Sequence, residues 1–335
     1  MQDKILLETR NLAIGYKKRT LAEKLTLQLH AGELVCLIGR NGTGKSTLLR
    51  TLAGLQSCLG GQITVLNRDL RKTSRQRRAR AISVVLSGGD ADCDSFTVRQ
   101  IAALGRFPYT GWLGRLSADD NAVIQNALEQ VDLLKKADSP FGELSDGERQ
   151  RAMIARALAQ NTELILLDEP TAHLDLPNKA ALLLLLRQLA KNTGKAILLS
   201  IHELELSLQT ADKIWLLEDS RIARGVPEDL VLAGSVAEAF RSNRFHFDEN
   251  TGTFRMDYPE RGVIRVSGEG MQAEWTRRAL ERDGYRIRPD AVWEVQCLGA
   301  CQWKLTGNDH PVAMDADSLE NLLYLLRQWE ADAKE

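Results

Sequence analysis

The chain has 335 residues, enough for about two domains at roughly 150 residues each. Its 44 Lys+Arg against 45 Asp+Glu leave a net charge of −1, which disfavours a polyanion-binding protein read from bulk charge, and 44% hydrophobic residues exclude wholesale disorder. No apolar run approaches the ~18 residues that span a bilayer, no secretory-signal core follows Met1, and five cysteines make no disulfide framework, so the chain reads as soluble and cytosolic.

In chain order, Leu34–Ile38 is a buried-strand run, followed by a Gly-rich turn and by Ser46–Ala53 at helical spacing. Arg68–Arg80 carries seven basic residues against one acid, Asp69. That run suits a solvated helix face; contact with lipid headgroups is the sharper alternative, and nucleic acid is disfavoured because no aromatics are interleaved. Ala81–Leu86 is a further short strand. Residues 95–160 are almost wholly helical, with Val98–Leu104, Ala118–Val131 and Glu148–Ala159, and read as a helical subdomain inserted between two strands. Leu164–Leu167, Ala196–Ile201 and Lys213–Glu218 are strands, and Pro177 opens a helix over Asn178–Lys191. Strands alternating with helices predict a mostly parallel sheet covered on both faces.

Composition changes near residue 245. Four of the six Trp lie beyond it, and residues 241–335 hold 13 basic and 17 acidic side chains, net −4, leaving +3 for residues 1–240. A boundary is expected between about Arg241 and Thr253, separating domains at 1–245 and 250–335. In the second, Val263–Val266, Ile287, Val292–Cys297 and Cys301–Leu305 read as strands, and Gln272–Arg282 and Ser318–Glu330 as helices. That order makes a compact α+β accessory domain without paired carboxylates, metal-ligand spacing or a phosphate loop, so no catalysis is assigned to it. Cys297 and Cys301 suit a turn between strands better than a metal site, and Ser267-Gly268-Glu269-Gly270 reads as a turn.

Three stretches of the first domain carry chemistry. Gly39-Arg40-Asn41-Gly42-Thr43-Gly44-Lys45-Ser46 fits G-x-x-x-x-G-K-[ST] between a strand and a helix, the context the motif needs. Its glycines let backbone N–H groups turn inward around phosphate oxygens, and the helix N-terminus adds partial positive charge. Lys45 supplies a full charge for the β- and γ-phosphates, and Ser46 a ligand for Mg²⁺. Leu164–Leu167 delivers Asp168 and Glu169 to a strand's C-terminal end, where Asp168 would hold magnesium and Glu169 would polarise the attacking water. Ser145, with Glu148 three residues on, forms a capping box at the start of a helix, which locally explains Ser145-Asp146-Gly147-Glu148.

With the phosphate loop, the serine-glycine helix start and the Asp-Glu strand in this order, the chain resembles an ABC-transporter ATPase subunit. It is most similar to the cassettes of iron–siderophore, haem and cobalamin importers, through Gly105-Arg106-Phe107-Pro108-Tyr109, Gly111-Trp112-Leu113-Gly114-Arg115-Leu116-Ser117 and Pro140-Phe141-Gly142-Glu143-Leu144-Ser145. The resemblance runs from about Ile5 to about Phe240. It implies a P-loop α/β core with an antiparallel β edge, ATP and Mg²⁺ as cofactors, and a head-to-tail dimer in which Gly39–Thr47 of one copy face Ser145–Gly147 of the other across ATP. It further implies Mg²⁺-dependent hydrolysis powering import through a membrane permease fed by a substrate-binding protein, with the chain peripheral on the cytoplasmic face of the membrane. Tyr16 matches the aromatic that stacks on adenine, Asp175 the aspartate that bridges the two cassettes, and His202 the histidine that senses the γ-phosphate. There are two departures. Ser87 stands where the family has a glutamine reaching the magnesium, so either its hydroxyl with a water substitutes or the contact is absent. Asp146 replaces the first glycine of the signature, a carboxylate unfavourable beside a γ-phosphate unless it points away. The alternative reading is a soluble ABC-type ATPase acting without a permease; the single cassette and the lack of room for a coiled coil between Lys45 and Ser145 count against it.

Overall fold

The computed structural model describes residues 4–17, 19–86, 93–111, 114–307 and 310–332. Ser87, Trp112 and Leu113 lie outside the described residues. The chain divides into two compact units, Met1–Phe240 with Glu249–Thr253, and Arg241–Asp248 with Phe254–Glu335.

The first unit begins with β1 (Ile5–Tyr16), β2 (Arg19–Leu25), β3 (Gln28–His30), β4 (Leu34–Ile38), α1 (Lys45–Leu52), β5 (Gly60–Val65) and β6 (Arg68–Asp69). Of these, β2, β1, β5 and β6 form an antiparallel sheet in that order, with β3 also paired to β1. This is the antiparallel edge that the resemblance implies. The chain continues through α2 (Arg75–Ala79), β7 (Ile82–Val85), α3 (Val98–Leu104), α4 (Ala118–Gln130), α5 (Asp146–Ala159), β8 (Leu164–Asp168) and α6 (Leu176–Thr193). It then runs through β9 (Ala196–Ser200), α7 (Leu204–Thr210), β10 (Lys213–Glu218), β11 (Arg221–Gly225), α8 (Pro227–Leu232) and α9 (Ser235–Ala239). The second sheet has the order β11-β10-β4-β9-β8-β7, parallel throughout except for the edge strand β11. Every residue of β4, β8 and β9 is buried, as the continuous apolar runs of a sheet covered on both faces require. Leu48, Leu49 and Leu52 of α1 and Trp215 of β10 join the same core.

Between β7 and β8 the helices α3, α4 and α5 pack on one another, each opened by a capping box at Thr97, Ser117 and Ser145. The caps explain why α5 starts at Asp146 rather than at Glu148, and Asp175 likewise caps α6 so that it starts at Leu176. The basic run is solvated, with all of its basic side chains exposed except the half-buried Arg78, but it is not one helix. It divides into β6, a 3₁₀ turn at Leu70–Lys72 and the five-residue α2, and three of its arginines hold the backbone. Arg71 donates to the Gly61 carbonyl, Arg78 to that of Gly54 at 2.9 Å, and Arg80 to that of Pro108 at 3.1 Å.

The second unit contains β12 (Phe245–Asp248), β13 (Thr253–Met256), β14 (Gly262–Ser267), α10 (Gly270–Arg282), β15 (Tyr285–Ile287), β16 (Trp293–Gly299), β17 (Gln302–Gly307), β18 (His310–Ala316) and α11 (Leu319–Asp332). Its main sheet runs β15-β14-β16-β17-β18, over a core that includes Ile264, Leu280, Val295, Trp303, Leu305 and Leu322. Trp303 Nε1 donates to the buried Thr276 hydroxyl at 2.7 Å, so the indole is buried with its polar end satisfied. Cys297 lies within β16 and Cys301 just before β17, with Ala300 and Cys301 at positive φ in the tight turn between them. The β12–β13 pair and β18 are additions to the four strands and two helices expected from the sequence. Among the described residues, no helix is long and apolar enough to cross a membrane.

Candidate active site

The parallel sheet brings the chemistry-bearing residues to one edge. Buried β4 ends at Ile38, and the loop from Gly39 to Gly44 returns the chain into α1. Side chains are excluded at two of its glycines for different reasons. A Cβ on Gly39 would lie 2.4 Å from the Leu217 carbonyl oxygen, and Gly44, the N-cap of α1, has φ +108°. Lys45 is only 5% exposed, and its Nζ donates to the carbonyls of Gly39 at 2.8 Å and Arg40 at 3.2 Å. Burial lowers the Lys45 ammonium below its ordinary range, while Glu169 and Asp168 pull it back up. The cation therefore stands partly desolvated, held by the loop's own carbonyl groups. Arg40 and Asn41 are exposed at the loop's tip, where Thr43 closes a turn through its N–H and its hydroxyl, both donating to the Arg40 carbonyl.

Ser46 reaches across from α1 and donates to Asp168 Oδ1 at 2.9 Å. The parallel register places Ser200, the last residue of β9, beside Asp168, the last of β8, and the Ser200 hydroxyl donates to the same Oδ1 at 2.8 Å. Asp168 Oδ2 is left buried with no hydrogen-bond partner. An orphaned buried carboxylate oxygen is costly unless something of opposite charge completes it. Beside a hydroxyl ligand, it fits a small hard cation that takes oxygen donors. Glu169 follows with a backbone φ of +52°, its N–H donating to Ser200 Oγ at 2.9 Å, and its Oε1 lies 2.8 Å from His202 Nε2. Ser46, Asp168, Ser200, Glu169 and His202 thus form one hydrogen-bonded chain at the edge of the sheet where Lys45 also stands.

Tyr16 ends β1 and is 52% exposed, and Thr47 on the first turn of α1 donates to its phenol oxygen at 3.0 Å. That tether fixes the ring near the phosphate loop while leaving it open to solvent. Asp175 accepts from the Asn178 N–H at 3.1 Å as the N-cap of α6. The stretch Ser145–Glu148 lies at the start of α5, in the helical segment. There the Ser145 hydroxyl and N–H both donate to Glu148 Oε2 at 3.1 Å, and Lys136 holds Glu148 Oε1 at 2.6 Å. Asp146 is exposed in the first turn, where a carboxylate is favoured by the helix dipole.

Sequence reasoning missed Ser200 and the brace around the turn after Glu169. Glu203 accepts from the Thr171 hydroxyl at 2.9 Å and pairs with Lys179 of α6. Burial raises the Glu203 carboxyl, but those two bonds outweigh it and hold it below its ordinary range. The available signal for Ser200 was a lone hydroxyl ending an otherwise apolar strand, two residues before His202 and so on the same side of the chain.

Residues 22–172 match the model of the ABC transporter family, and residues 261–327 match that of the iron ABC transporter C-terminal domain. The achromobactin transport ATP-binding protein of Dickeya dadantii is 38% identical over 233 residues, covering 69% of this chain and 86% of that protein. The hemin import ATP-binding protein of Rhodococcus jostii is 39% identical over 233 residues, covering 68% and 77%. Among solved structures, the ATP-binding subunit of an ABC transporter superposes with a TM-score of 0.57 at 27% identity, over 71% of this chain and 95% of that one. Phosphate loop, acid-tipped strand and sheet order agree with these likenesses: the chain belongs to the family of ABC transporter ATP-binding subunits and is a nucleotide-binding ATPase.

Proposed function

We propose that this ATPase drives the import of an iron complex, a siderophore or haem, or of cobalamin, through a membrane permease. The observation that carries the iron assignment is the match of residues 261–327 to the iron ABC transporter C-terminal domain, joined to a cassette whose relatives serve achromobactin and hemin. The chain would act as a pair on the inner face of the membrane, with a substrate-binding protein delivering the chelate to the permease on the far side.

The site residues divide the work as follows. Lys45 leaves the Gly39 and Arg40 carbonyls for the β- and γ-phosphates, where loop N–H groups and the α1 N-terminus add donors. Tyr16 offers its exposed ring face to the adenine. Ser46 and Asp168 Oδ2 would hold Mg²⁺, which when bound neutralises charge on the phosphate oxygens. Glu169 orients the attacking water and takes up its proton, and His202, hydrogen-bonded to Glu169, fixes the carboxylate and reports on the γ-phosphate. Ser145 and Gly147 serve the nucleotide held by the second copy, so Ser145 must turn its hydroxyl away from Glu148 when the two copies close. Asp175 sits at the turn between Glu169 and α6 and would bridge the copies.

The test is co-purification of the chain with a detergent-solubilised permease encoded beside it, followed by Mg²⁺-dependent ATP hydrolysis and chelate uptake in proteoliposomes. Hydrolysis stimulated by a ferric siderophore, haem or cobalamin supports the reading. A chain that hydrolyses ATP but binds no permease would return the assignment to a permease-free ATPase.

A further inference from the structure

We infer that Ser200 is a positioning residue for ATP hydrolysis: one hydroxyl aligns both carboxylates of the site, fixing which oxygen Asp168 presents and where Glu169 stands. The inference rests on the roles proposed for Asp168 and Glu169. Ser200 is completely buried at the end of a strand that is otherwise Ala-Ile-Leu-Leu, so nothing but its partners stabilises a polar group there. Its hydroxyl works in both directions, with the proton given to Asp168 Oδ1 at 2.8 Å and a lone pair accepting the Glu169 N–H at 2.9 Å.

Each bond has a definite consequence. Asp168 Oδ1 receives two hydroxyls, from Ser46 and Ser200, and this pins the carboxylate so that Oδ2 is the oxygen left without a partner. With Ser46 alone, rotation of the carboxylate would exchange the two oxygens with little to resist it, and Ser46 would be tied to whichever oxygen it met. The second bond acts on Glu169, whose φ of +52° is a conformation that a non-glycine residue keeps only when its surroundings enforce it. Ser200 holds the backbone N–H of Glu169, while His202, two residues along the same strand end, holds its carboxylate at 2.8 Å. The end of β9 therefore grips the proposed base at two points. The register that pairs Asp168 with Ser200 makes the arrangement a property of the sheet rather than of a loop.

The test compares Ser200→Ala, Ser200→Thr and Ser200→Val in the full chain; Thr and Val have nearly equal volume and differ in the hydroxyl. Two readouts are taken: steady-state ATP hydrolysis, and Mn²⁺ titrated against the ADP-bound chain with free Mn²⁺ followed by electron paramagnetic resonance. Ala and Val should lower kcat by about 10- to 100-fold and weaken Mn²⁺ binding by about tenfold, the range seen when a partner of a metal ligand is removed. KM for ATP should stay within about twofold, because the phosphate loop is untouched, and Thr should restore both readouts to within about twofold. If Thr and Val behave alike, or if Ala matches the unmodified chain in both readouts, the inference fails. The unmodified chain supplies a check that needs no variant: the Glu169 amide should exchange slowly with solvent in the nucleotide-free state, and rapid exchange would overturn the assignment. Glu169→Gln is run alongside. If it hydrolyses normally, the role of Glu169 is wrong; if it is inactive while Ser200→Ala is normal, only the role of Ser200 is wrong.

Discussion

Replacing Asp120 with Asn should destabilise the helical segment by an amount that its hydrogen bonds set. Arg106 is 8% exposed; its Nε donates to Asp120 Oδ1 at 2.8 Å, its Nη1 donates to the Ala159 carbonyl at 2.8 Å, and its guanidinium lies 4.1 Å from the Tyr109 ring centroid. Asp120 Oδ2 accepts the N–H of Ser117 at 2.9 Å and its hydroxyl at 2.8 Å. The Ser117 N–H above all, then its hydroxyl and Arg106, bring the Asp120 carboxyl down from 3.8 to about 2. That depression is worth about 2 kcal/mol of folding free energy. Because the folded value lies below the unfolded one, the stabilisation is complete above about pH 4 and is lost as pH falls through about 2. Asn keeps the size but drops the charge and leaves a buried guanidinium without its counter-charge, so the loss at pH 7 should be about 2–4 kcal/mol. Urea denaturation reads it, and the gap between variant and unmodified chain should hold constant down to about pH 5 and narrow below about pH 4. Adding Arg106→Met to Asp120→Asn should recover part of the loss, since no cation is then stranded. Equal midpoints at pH 7, or a gap that widens on acidification, would refute the argument.

Glu169→Gln should abolish turnover yet keep shape and hydrogen bonding, so that ATP locks a dimer visible by size-exclusion chromatography; wild-type turnover would show that the base lies elsewhere. Lys45→Ala removes a charge-assisted phosphate contact and should weaken ATP binding by roughly 10- to 150-fold in equilibrium titration, from about 1.5–3 kcal/mol. Affinity and turnover both unchanged would sink the phosphate-loop role. A chain stopped after Phe240 should still bind ATP if the second unit is a regulatory or dimer-bracing appendage, but its ATPase rate or dimerisation should change. If neither changes, the unit is a passive stabiliser.

How much of this could be read from the sequence varies by element, and the physics explains the pattern. Leu34–Ile38, Lys213–Glu218 and Val98–Leu104 occupy the spans that the sequence predicts, because each is a dense apolar pattern bounded by turn or cap residues. The antiparallel strands were harder. β1 shifts register between Leu12 and Ile14 and between Arg10 and Ala13, and each irregularity breaks the two-residue alternation that marks a strand. β18 contains Pro311, which argues against a strand, and β18 is an edge strand, where proline is tolerated. The basic run is solvated as its charge pattern predicts, but its division into three elements and its carbonyl contacts at Arg71, Arg78 and Arg80 are not legible there, because an arginine bound to a carbonyl leaves no partner in the charge pattern. In the site, the residues that motifs single out are found close together, whereas Ser200 and Glu203 meet their partners only through the register of β8 and β9 and the turn after Glu169, which no motif records.

The same distinction explains why the nucleotide site is conspicuous in both sequence and structure. Two of its buried charges are incompletely matched: the Lys45 ammonium is hydrogen-bonded to neutral carbonyls, with Asp168 and Glu169 acting on it only through space, and the Asp168 carboxylate has one oxygen without a partner. Each arrangement costs folding free energy, because a desolvated charge is poorly compensated by dipoles alone or by half its possible bonds. On the proposed reading, triphosphate and a divalent cation would bring the opposite charges to the two groups together, so the strain of the free site would become affinity for the bound one. By mass action the folded cassette should gain about 2.7 kcal/mol at a nucleotide concentration one hundred times its dissociation constant. A site built only for fold stability would pair Lys45 with Asp168 directly. Here Ser46 and Ser200 occupy the carboxylate's other oxygen, and the loop carbonyls hold the ammonium, so both charges remain available to the ligand.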